Sequence, residues 1–256
     1  MSDARTDPER LRAEAYADSG NLSARISIYA YRDDDVELIP WVLGLVAWPA
    51  PGPVLDVGCG PGRYLEAVDG RRVASDLSFG MVAEAVVAAA TPGIQADVAR
   101  LPARTGSIGR VLAPHMLYHA PDPAAAVLEL RRVLHDDGDL VVVLNTGDHL
   151  SELRRATEAA AGADLGWERL TAEDAVPLLE ACFSSVVVHH REARLLVTDP
   201  AAVGAYVASS ESLHAERSNR PWPDVVDQVT TWAATEVART GHAEIGMHST
   251  AILCRP

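Results

Sequence analysis

Short apolar runs of strand length alternate with segments of helical periodicity along most of the chain. Strands that alternate with helices are typical of a parallel sheet with helices on both of its faces. The runs that predict strands are residues 53–57, 73–75, a short run ending near residue 95, and residues 110–113, 140–144, 183–190 and 250–254. The pattern therefore predicts an α/β fold with a mostly parallel sheet of seven strands.

Three segments before the first strand predict an N-terminal helical cap. Residues 8–17 and 34–48 have helical patterns, and residues 21–31 are irregular or helical. We assign the cap to residues 1–50.

Two helical segments, residues 199–210 and 223–240, lie between the sixth and seventh strands. An insertion above the carboxyl ends of the strands would form a lid over a ligand pocket. We therefore divide a single domain, residues 1–256, into the cap, a core of residues 51–198 and 243–256, and a lid of residues 199–242. The lid residues that would line the pocket, unless they pin helices to the core, are Tyr206, His214, Trp222 and Trp232.

Three glycines at alternate positions follow the first strand. Gly58, Gly60 and Gly62 let the backbone bend sharply and approach a ligand, and the helix that follows offers free N–H groups to a carboxylate or phosphate. A dinucleotide-binding turn needs another glycine three residues after Gly60, where this chain has Arg63. The turn therefore favours a nucleoside ligand other than NAD or FAD.

Two carboxylates have a spacing that suits the same ligand. Asp56 and Asp76 are twenty positions apart, which fits one strand, one helix and the end of the next strand. An acidic side chain at that second strand end accepts hydrogen bonds from both ribose hydroxyls in nucleoside-binding α/β folds. We therefore predict that Asp76 binds the ribose.

The segment from Asp56 to Gly62 resembles motif I of the class I S-adenosylmethionine (SAM)-dependent methyltransferases. Residues 75–81 and 95–102 resemble the segments that follow it in this family, and residues 16–25 resemble the "Y.dS.NL.AR" cap of a bacterial small-molecule subgroup. One departure is Ile108-Gly109, where the family usually has Phe-Asp. The resemblance covers nearly the whole chain and implies a Rossmann-like fold that binds SAM and releases S-adenosylhomocysteine (SAH).

The resemblance also implies roles for individual residues. Leu77 would cover one adenine face with help from Met81, Asp97 would accept from the adenine amino group, and the Val98 N–H would donate to a ring nitrogen. The cofactor-binding residues predicted in this way are Tyr16, Arg25, Asp56, Gly58, Gly60, Gly62, Asp76, Leu77, Met81, Asp97, Val98 and Pro114.

Arg25 is the predicted partner of the methionyl carboxylate, because a guanidinium matches a carboxylate in a bidentate manner. The alternative is a surface ion pair between Arg25 and the acidic residues 33–35.

Charge narrows the choice of acceptor. The net charge is -14, and all 22 basic residues are Arg, with no basic tract. Nucleic acid is therefore a poor substrate, because neutralising phosphates needs clustered basic side chains. Pro114-His115-Met116 also stands where methyltransferases of base amines carry an Asn-Pro-Pro-Tyr type motif. We predict a small-molecule acceptor, as in secondary metabolism and natural product biosynthesis.

Other features of the sequence limit the predicted cellular location and binding partners of the protein. No apolar run reaches the roughly 18 residues that cross a bilayer, and the first residues lack the apolar region of a signal peptide. We therefore expect a cytoplasmic protein without a membrane partner. The three cysteines are far apart and lack metal spacing, so no metal is expected. The oligomeric state stays open, with a homodimer as one option.

The chemistry that SAM implies needs little from the protein beyond positioning a nucleophile and removing a proton. His115 directly follows strand four and His149 opens the helix after strand five, so either is a candidate base, and a structural role is the alternative for each. We predict methyl transfer from SAM to an O, N or C atom of a small molecule, an activity of the EC 2.1.1 class.

Two alternatives to this activity belong to other functional classes. The first is a SAM-binding protein of the same fold that only binds, or that acts as a cyclase or a decarboxylase-like enzyme. The second is a nicotinamide-dependent oxidoreductase, which Arg63 and the absence of any Lys disfavour.

Overall fold

A seven-stranded sheet forms the centre of the computed structural model, which describes residues 6–11, 16, 20–167 and 170–256. The strands are β1 (Val54–Val57), β2 (Arg72–Asp76), β3 (Gly93–Gln95), β4 (Ile108–Pro114), β5 (Leu134–Asn145), β6 (Ser185–Val197) and β7 (Ala243–Arg255). Their order is β3-β2-β1-β4-β5-β7-β6, and β7 is antiparallel to both of its neighbours. The predicted α/β fold class is confirmed.

The helices begin where the sequence provides capping groups. The Ser78 hydroxyl accepts from the Met81 N–H, the Asp122 side chain accepts from the Ala125 N–H, and Thr171 forms a capping box with Asp174. The helices are α1 (Pro8–Arg10), α2 (Gly20–Ser27), α3 (Leu38–Gly44), α4 (Arg63–Glu66), α5 (Phe79–Ala88), α6 (Pro123–Val133), α7 (Ser151–Ala161), α8 (Ala172–Glu180), α9 (Pro200–Ala208), α10 (Glu211–His214) and α11 (Trp222–Thr240).

Successive residues of β5 reach opposite layers of helices. Val141 and Val143 belong to a core shared with α3, α4 and α5, whereas Val142 and Leu144 belong to a core shared with α6 and α8. Because neighbouring side chains of a strand point to opposite faces, this continuous apolar run is buried on both sides. The predicted helical layers on both faces are therefore present.

The cap differs from its prediction. The helix expected over residues 34–48 is only α3, because Asp33 and Asp34 instead bind the arginines Arg194 and Arg191 of β6 at 2.9 and 2.7 Å. Of the helix expected over residues 8–17, the structure describes α1, Leu11 and Tyr16. Residues 12–15 and 17 lie outside the described residues.

The last two strands are longer than predicted, and their extensions form a second core with the inserted helices. Leu195 and Val197 of β6 and Ile245 and Met247 of β7 pack there with α7, α9 and α11. Trp222 is buried in this core, and its Nε1 donates to the Val207 carbonyl at 3.1 Å. Tertiary burial of alternating apolar positions explains why the strands continue.

The Ile108-Gly109 departure has a packing cause. A Cβ added to Gly109 would lie 2.2 Å from the backbone nitrogen of Gly52, so any larger side chain would displace the loop before β1. Across the described ranges, no helix is long and apolar enough to cross a membrane.

Candidate functional site

A cavity of about 510 Å³ lies above the carboxyl ends of β1, β2, β4 and β5. Small-molecule sites usually measure roughly 300 to 1,000 Å³ and occupy this edge of α/β sheets. Both candidate bases, His115 and His149, line the cavity. The predicted cofactor-binding residues that line it are Tyr16, Arg25, Gly58, Gly60, Asp76, Leu77, Met81, Asp97, Val98 and Pro114.

The glycine turn is tied to the end of β2 through Asp76. One carboxylate oxygen of Asp76 accepts from the Gly60 N–H at 3.0 Å, and the other accepts from the Ser78 N–H at 2.8 Å. Gly58 has φ 69°, and a Cβ there would lie 2.5 Å from Cβ of Met116. Burial raises the pKa of Asp76, although these backbone donors oppose the shift. Asp76 therefore shapes the turn as well as facing the cavity.

Two residues of motif I lie behind the cavity wall, which corrects the prediction that they contact a cofactor. Asp56 is fully buried, and neither of its carboxylate oxygens has a partner in the described part of the chain. Burial, with the nearby charge of Asp76, raises the pKa of Asp56 to about 8. Gly62 faces α5, because a Cβ there would lie 2.9 Å from Cα of Ala85. Both residues support the turn from within.

The predicted adenine end combines exposed and buried residues. Met81 is 1% exposed and packs in the core, yet it also lines the cavity. Leu77 is braced from outside, since the Gln95 side-chain amide donates to its carbonyl at 2.9 Å. Asp97 accepts from the Ala99 N–H at 2.9 Å, which holds the loop after β3. Sequence reasoning missed the bracing role of Gln95.

Arg25 brings a positive charge to the cavity, and no carboxylate of the described ranges pairs with it. Its Nη1 donates to the Tyr16 hydroxyl at 3.3 Å, and its guanidinium carbon lies 5.0 Å from the centre of the Tyr16 ring. The Tyr16 hydroxyl in turn lies 2.9 Å from Nε2 of His119. Nη2 of Arg25 is buried and has no partner among the described residues. The alternative ion pair with residues 33–35 is not seen in the part of the chain that the structure describes, and Asp33 and Asp34 bind other arginines.

The two candidate bases differ in their hydrogen bonds. Nδ1 of His149 accepts from the His248 N–H at 3.0 Å, so the ring proton of the neutral form is on Nε2. That Nε2 lies 3.0 Å from the Tyr29 hydroxyl and donates to it. His149 therefore has no free lone pair, and it leaves the Tyr29 proton available to the cavity.

His115 has no side-chain hydrogen bond in the part of the chain that the structure describes, and its exposed surface faces the cavity. Burial lowers the pKa of His115 to about 4, and burial together with the charge of His115 lowers the pKa of His149 to about 3. Both rings are therefore neutral near pH 7, and His115 is the one with free nitrogen atoms.

Comparison with known proteins agrees with this geometry. Residues 55–142 match a family model described as a methyltransferase domain. A solved putative methyltransferase from Bacillus halodurans superposes with a TM-score of 0.58 at 17% identity, covering 85% of this chain and 98% of that one. Residues 55–142 therefore match a methyltransferase domain, and the fold of the chain is that of the class I SAM-dependent methyltransferases.

The relatives that carry a named activity match only part of this chain or resemble it in fold alone. A malonyl-[acyl-carrier protein] O-methyltransferase of Legionella pneumophila is 30% identical over 120 residues, 43% of this chain and 42% of the relative. The matches span 28% to 63% of the length of the curated relatives. Phosphoethanolamine N-methyltransferase 2 of Haemonchus contortus, solved with SAM, has a TM-score of 0.59 at 14% identity and covers 100% of this chain and 60% of that one.

The cavity contains groups that suit SAM, the cofactor of the class I methyltransferase fold. The unpaired Nη2 of Arg25 suits a carboxylate, the Asp76 carboxylate suits a vicinal diol, and the turn at Gly60 leaves the backbone accessible. These three features lie in one cavity, so the residues fit SAM.

Sequence reasoning missed or misplaced several of the residues that line the cavity. Tyr206 lines the cavity as expected, whereas His214, Trp222 and Trp232 do not, and His214 stacks on Trp167 at 3.9 Å. The lining residues that no local signal indicated are Tyr29, Arg32, Tyr118, Asn145, Arg191 and Ser249.

Proposed function

We propose that the protein binds SAM and transfers its methyl group to an O, N or C atom of a small molecule. The observation that carries the proposal is one cavity that joins the glycine turn, Asp76 and Arg25, whose Nη2 has no partner among the described residues, to the neutral His115. The name of the Legionella relative supports an O-methyltransferase activity in this family.

Residues along the β1–β2 edge would hold the cofactor. Arg25 would bind its carboxylate, Asp76 its ribose hydroxyls, and Leu77, Asp97 and Val98 its adenine, with Met81, Tyr16 and Pro114 completing the wall. When bound, SAM supplies a methyl group that is already activated on a sulfonium.

The protein's own chemistry would come from His115 and Tyr29. His115 accepts the proton of an acceptor hydroxyl or ammonium, because its ring is neutral and its nitrogens are free. Tyr29 donates a hydrogen bond to the acceptor, since its oxygen already accepts from Nε2 of His149. His149 is thus proposed as the residue that orients Tyr29 and not as the base.

The wider assignments belong to the same proposal. The cap of residues 1–50 and the lid of residues 199–242 would cover a core of residues 51–198 and 243–256. Contact between Leu11 and Leu213 supports a lid that meets the cap. Action in secondary metabolism, a cytoplasmic location and homodimer formation stay predictions from the sequence.

Labelled SAM offered with a panel of phenols, amines and carboxylic acids tests the proposal. Label should pass from SAM to at least one acceptor, and the His115→Gln protein should transfer it far more slowly while binding SAH normally. SAM binding without transfer to any panel member would favour the non-methylating alternative. Absence of SAM binding would reject both.

A further inference from the structure

The side of the cavity near β6 carries an arginine, Arg191, whose guanidinium has hydrogen-bond partners for only some of its N–H groups. The Arg191 side chain is 7% exposed, and its Nη2 donates to both carboxylate oxygens of Asp34 and to the Val36 carbonyl, each at 2.7 Å. Its Nη1 is buried and has no partner among the described residues. A buried guanidinium with an unpaired N–H donor therefore lies in the cavity wall, where an acceptor group of a ligand could form a hydrogen bond with it.

A second guanidinium shares the same carboxylate. Nε of Arg32 lies 3.7 Å from Asp34 and has no hydrogen-bond partner in the described part of the chain, while Nη1 donates to the Tyr29 carbonyl at 2.9 Å. Both arginines line the cavity. Asp33 is bound by Arg194, so Arg32 and Arg191 share the single carboxylate of Asp34 among the described residues.

Glu37 is the other acidic residue near this wall. It lines the cavity but is exposed, and no ion pair joins it to either arginine in the described ranges. A carboxylate that stays in water does little to neutralise a buried guanidinium. The pair Arg32 and Arg191 therefore has an excess of positive charge.

The excess charge lies far along the sheet from the glycine turn. Arg191 is in register with Ser249 of β7, and Ser249 is in register with Asn145 of β5, and all three line the cavity. β6 is four strands from β1, about 19 Å at the usual spacing.

Arg25, in contrast, lies on the helix that covers the turn. Leu22, on the same helix and one turn earlier, is 3.5 Å from the Cβ position of Gly60. The cofactor has one carboxylate, which Arg25 is placed to bind beside the turn. Nη1 of Arg191 is left for a group of another ligand, and an anionic acceptor matches the charge of a guanidinium best.

We propose that the acceptor is a carboxylic acid and that its carboxylate binds to Arg191 and Arg32. This inference rests on the proposed function, because SAM must occupy the half of the cavity near Arg25. Asn145 and Ser249, which lie between the two halves, would contact the body of the acceptor. The carboxylate is an anchor at the β6 side, separate from the atom that His115 would deprotonate.

Matched acid and amide probes test the inference on the full chain. Benzoate, phenylacetate and hexanoate are compared with benzamide, phenylacetamide and hexanamide by calorimetry, at saturating SAH. SAH affinity is measured first. The wild-type protein should bind at least one acid about tenfold more tightly than its amide, the effect of a charge-assisted hydrogen bond.

Substitutions show which residue produces the preference for acids over amides. Arg191→Leu should abolish the acid preference and leave the SAH affinity within about twofold, because a carboxylate anchored on β6 does not involve the glycine turn. Arg194→Leu is the matched control, since Arg194 lies on the same strand and pairs with Asp33 but does not line the cavity. Asp34→Asn should strengthen acid binding severalfold, because it removes the carboxylate that competes for Arg191. A purely structural Arg191 would predict the opposite change.

The outcomes that overturn the inference are distinct from failure of the proposed function. No acid preference in the wild-type protein, or an unchanged preference in both Arg191→Leu and Asp34→Asn, would overturn the acceptor assignment alone. Lost SAH affinity in a folded Arg191→Leu protein would assign Arg191 to the cofactor and overturn it as well. A wild-type protein that does not bind SAH would refute the proposed function and the inference with it.

Discussion

Replacing Arg25 by Met should weaken cofactor binding without weakening the fold. The groups closest to the Arg25 charge are Tyr16, Tyr118 and Tyr206. Burial raises the pKa of Tyr118 and of Tyr206, so neither supplies a negative charge near pH 7. Among the residues that the structure describes, this guanidinium therefore has no counter-ion.

The two expected effects differ in size and can be separated. Charge-assisted hydrogen bonds to a carboxylate contribute about 1.5–3 kcal/mol, so SAH should bind roughly 10- to 150-fold more weakly to Arg25→Met. The free energy of unfolding should change by no more than about 2 kcal/mol, because only two hydrogen bonds, to the Tyr16 hydroxyl and the Asn21 carbonyl, and a ring contact with Tyr16 are lost. Breaking a buried ion pair would instead cost about 3–5 kcal/mol.

Calorimetry with SAH and urea unfolding measure these two quantities on the same samples. Arg71→Met is the control, because Arg71 is exposed and does not line the cavity. An SAH affinity within twofold of the wild type would refute the assignment of Arg25 to the carboxylate. A large loss of stability would show that Arg25 has an ion-pair partner in the fold.

Three further predictions concern the carboxylates and the proposed base. Asp76→Ala should weaken SAH binding by about 1.5–3 kcal/mol in calorimetry, and an unchanged affinity would put the ribose elsewhere. His115→Gln should lower kcat about 100-fold or more with SAH affinity kept. Because burial lowers the pKa of His115 to about 4, the wild-type rate should be level from pH 6 to 8, and a steep rise there would indicate another base. Burial raises the pKa of Asp56 to about 8, whereas the unfolded value is about 4. The stabilisation that comes from keeping this carboxyl protonated is therefore fully present below about pH 4. It is lost as the pH rises from about 4 to 8, by about 1 kcal/mol of unfolding free energy per pH unit. Asp56→Asn should flatten that slope in urea unfolding, and parallel slopes would contradict the shift.

Local sequence patterns predicted the centre of the sheet better than the periphery. β1 and β2 are short, apolar and followed by turn residues, so their positions follow from neighbours in the sequence. The predicted helix over residues 34–48 was too long because Asp33 and Asp34 pair with β6, more than 150 positions away. Periodicity contains no record of such a partner, and tertiary contacts override helix propensity.

Because local sequence patterns do not report distant partners, the candidate site has one half that could be predicted from the sequence and one half that could not. The half near β1 and β2 comes from continuous motifs, such as the glycine turn and the segment that begins at Asp76, so its residues could be predicted together. The half near β6 comes from Tyr29, Asn145, Arg191 and Ser249, which only strand register and the cap bring to one cavity. None of these four has a local signal that distinguishes it from an ordinary strand or helix residue.

The choice between the two histidines shows why geometry was needed for the chemistry. By position in the chain, His115 and His149 are equivalent, since each follows a central strand. One backbone N–H, that of His248, occupies the only lone pair that a neutral His149 with its proton on Nε2 could use. No corresponding donor reaches the ring of His115 among the described residues. A base must have a free lone pair directed at the substrate, so the register of β7 beside β5, and not any property of residue 149 itself, is what favours His115 as the proposed base.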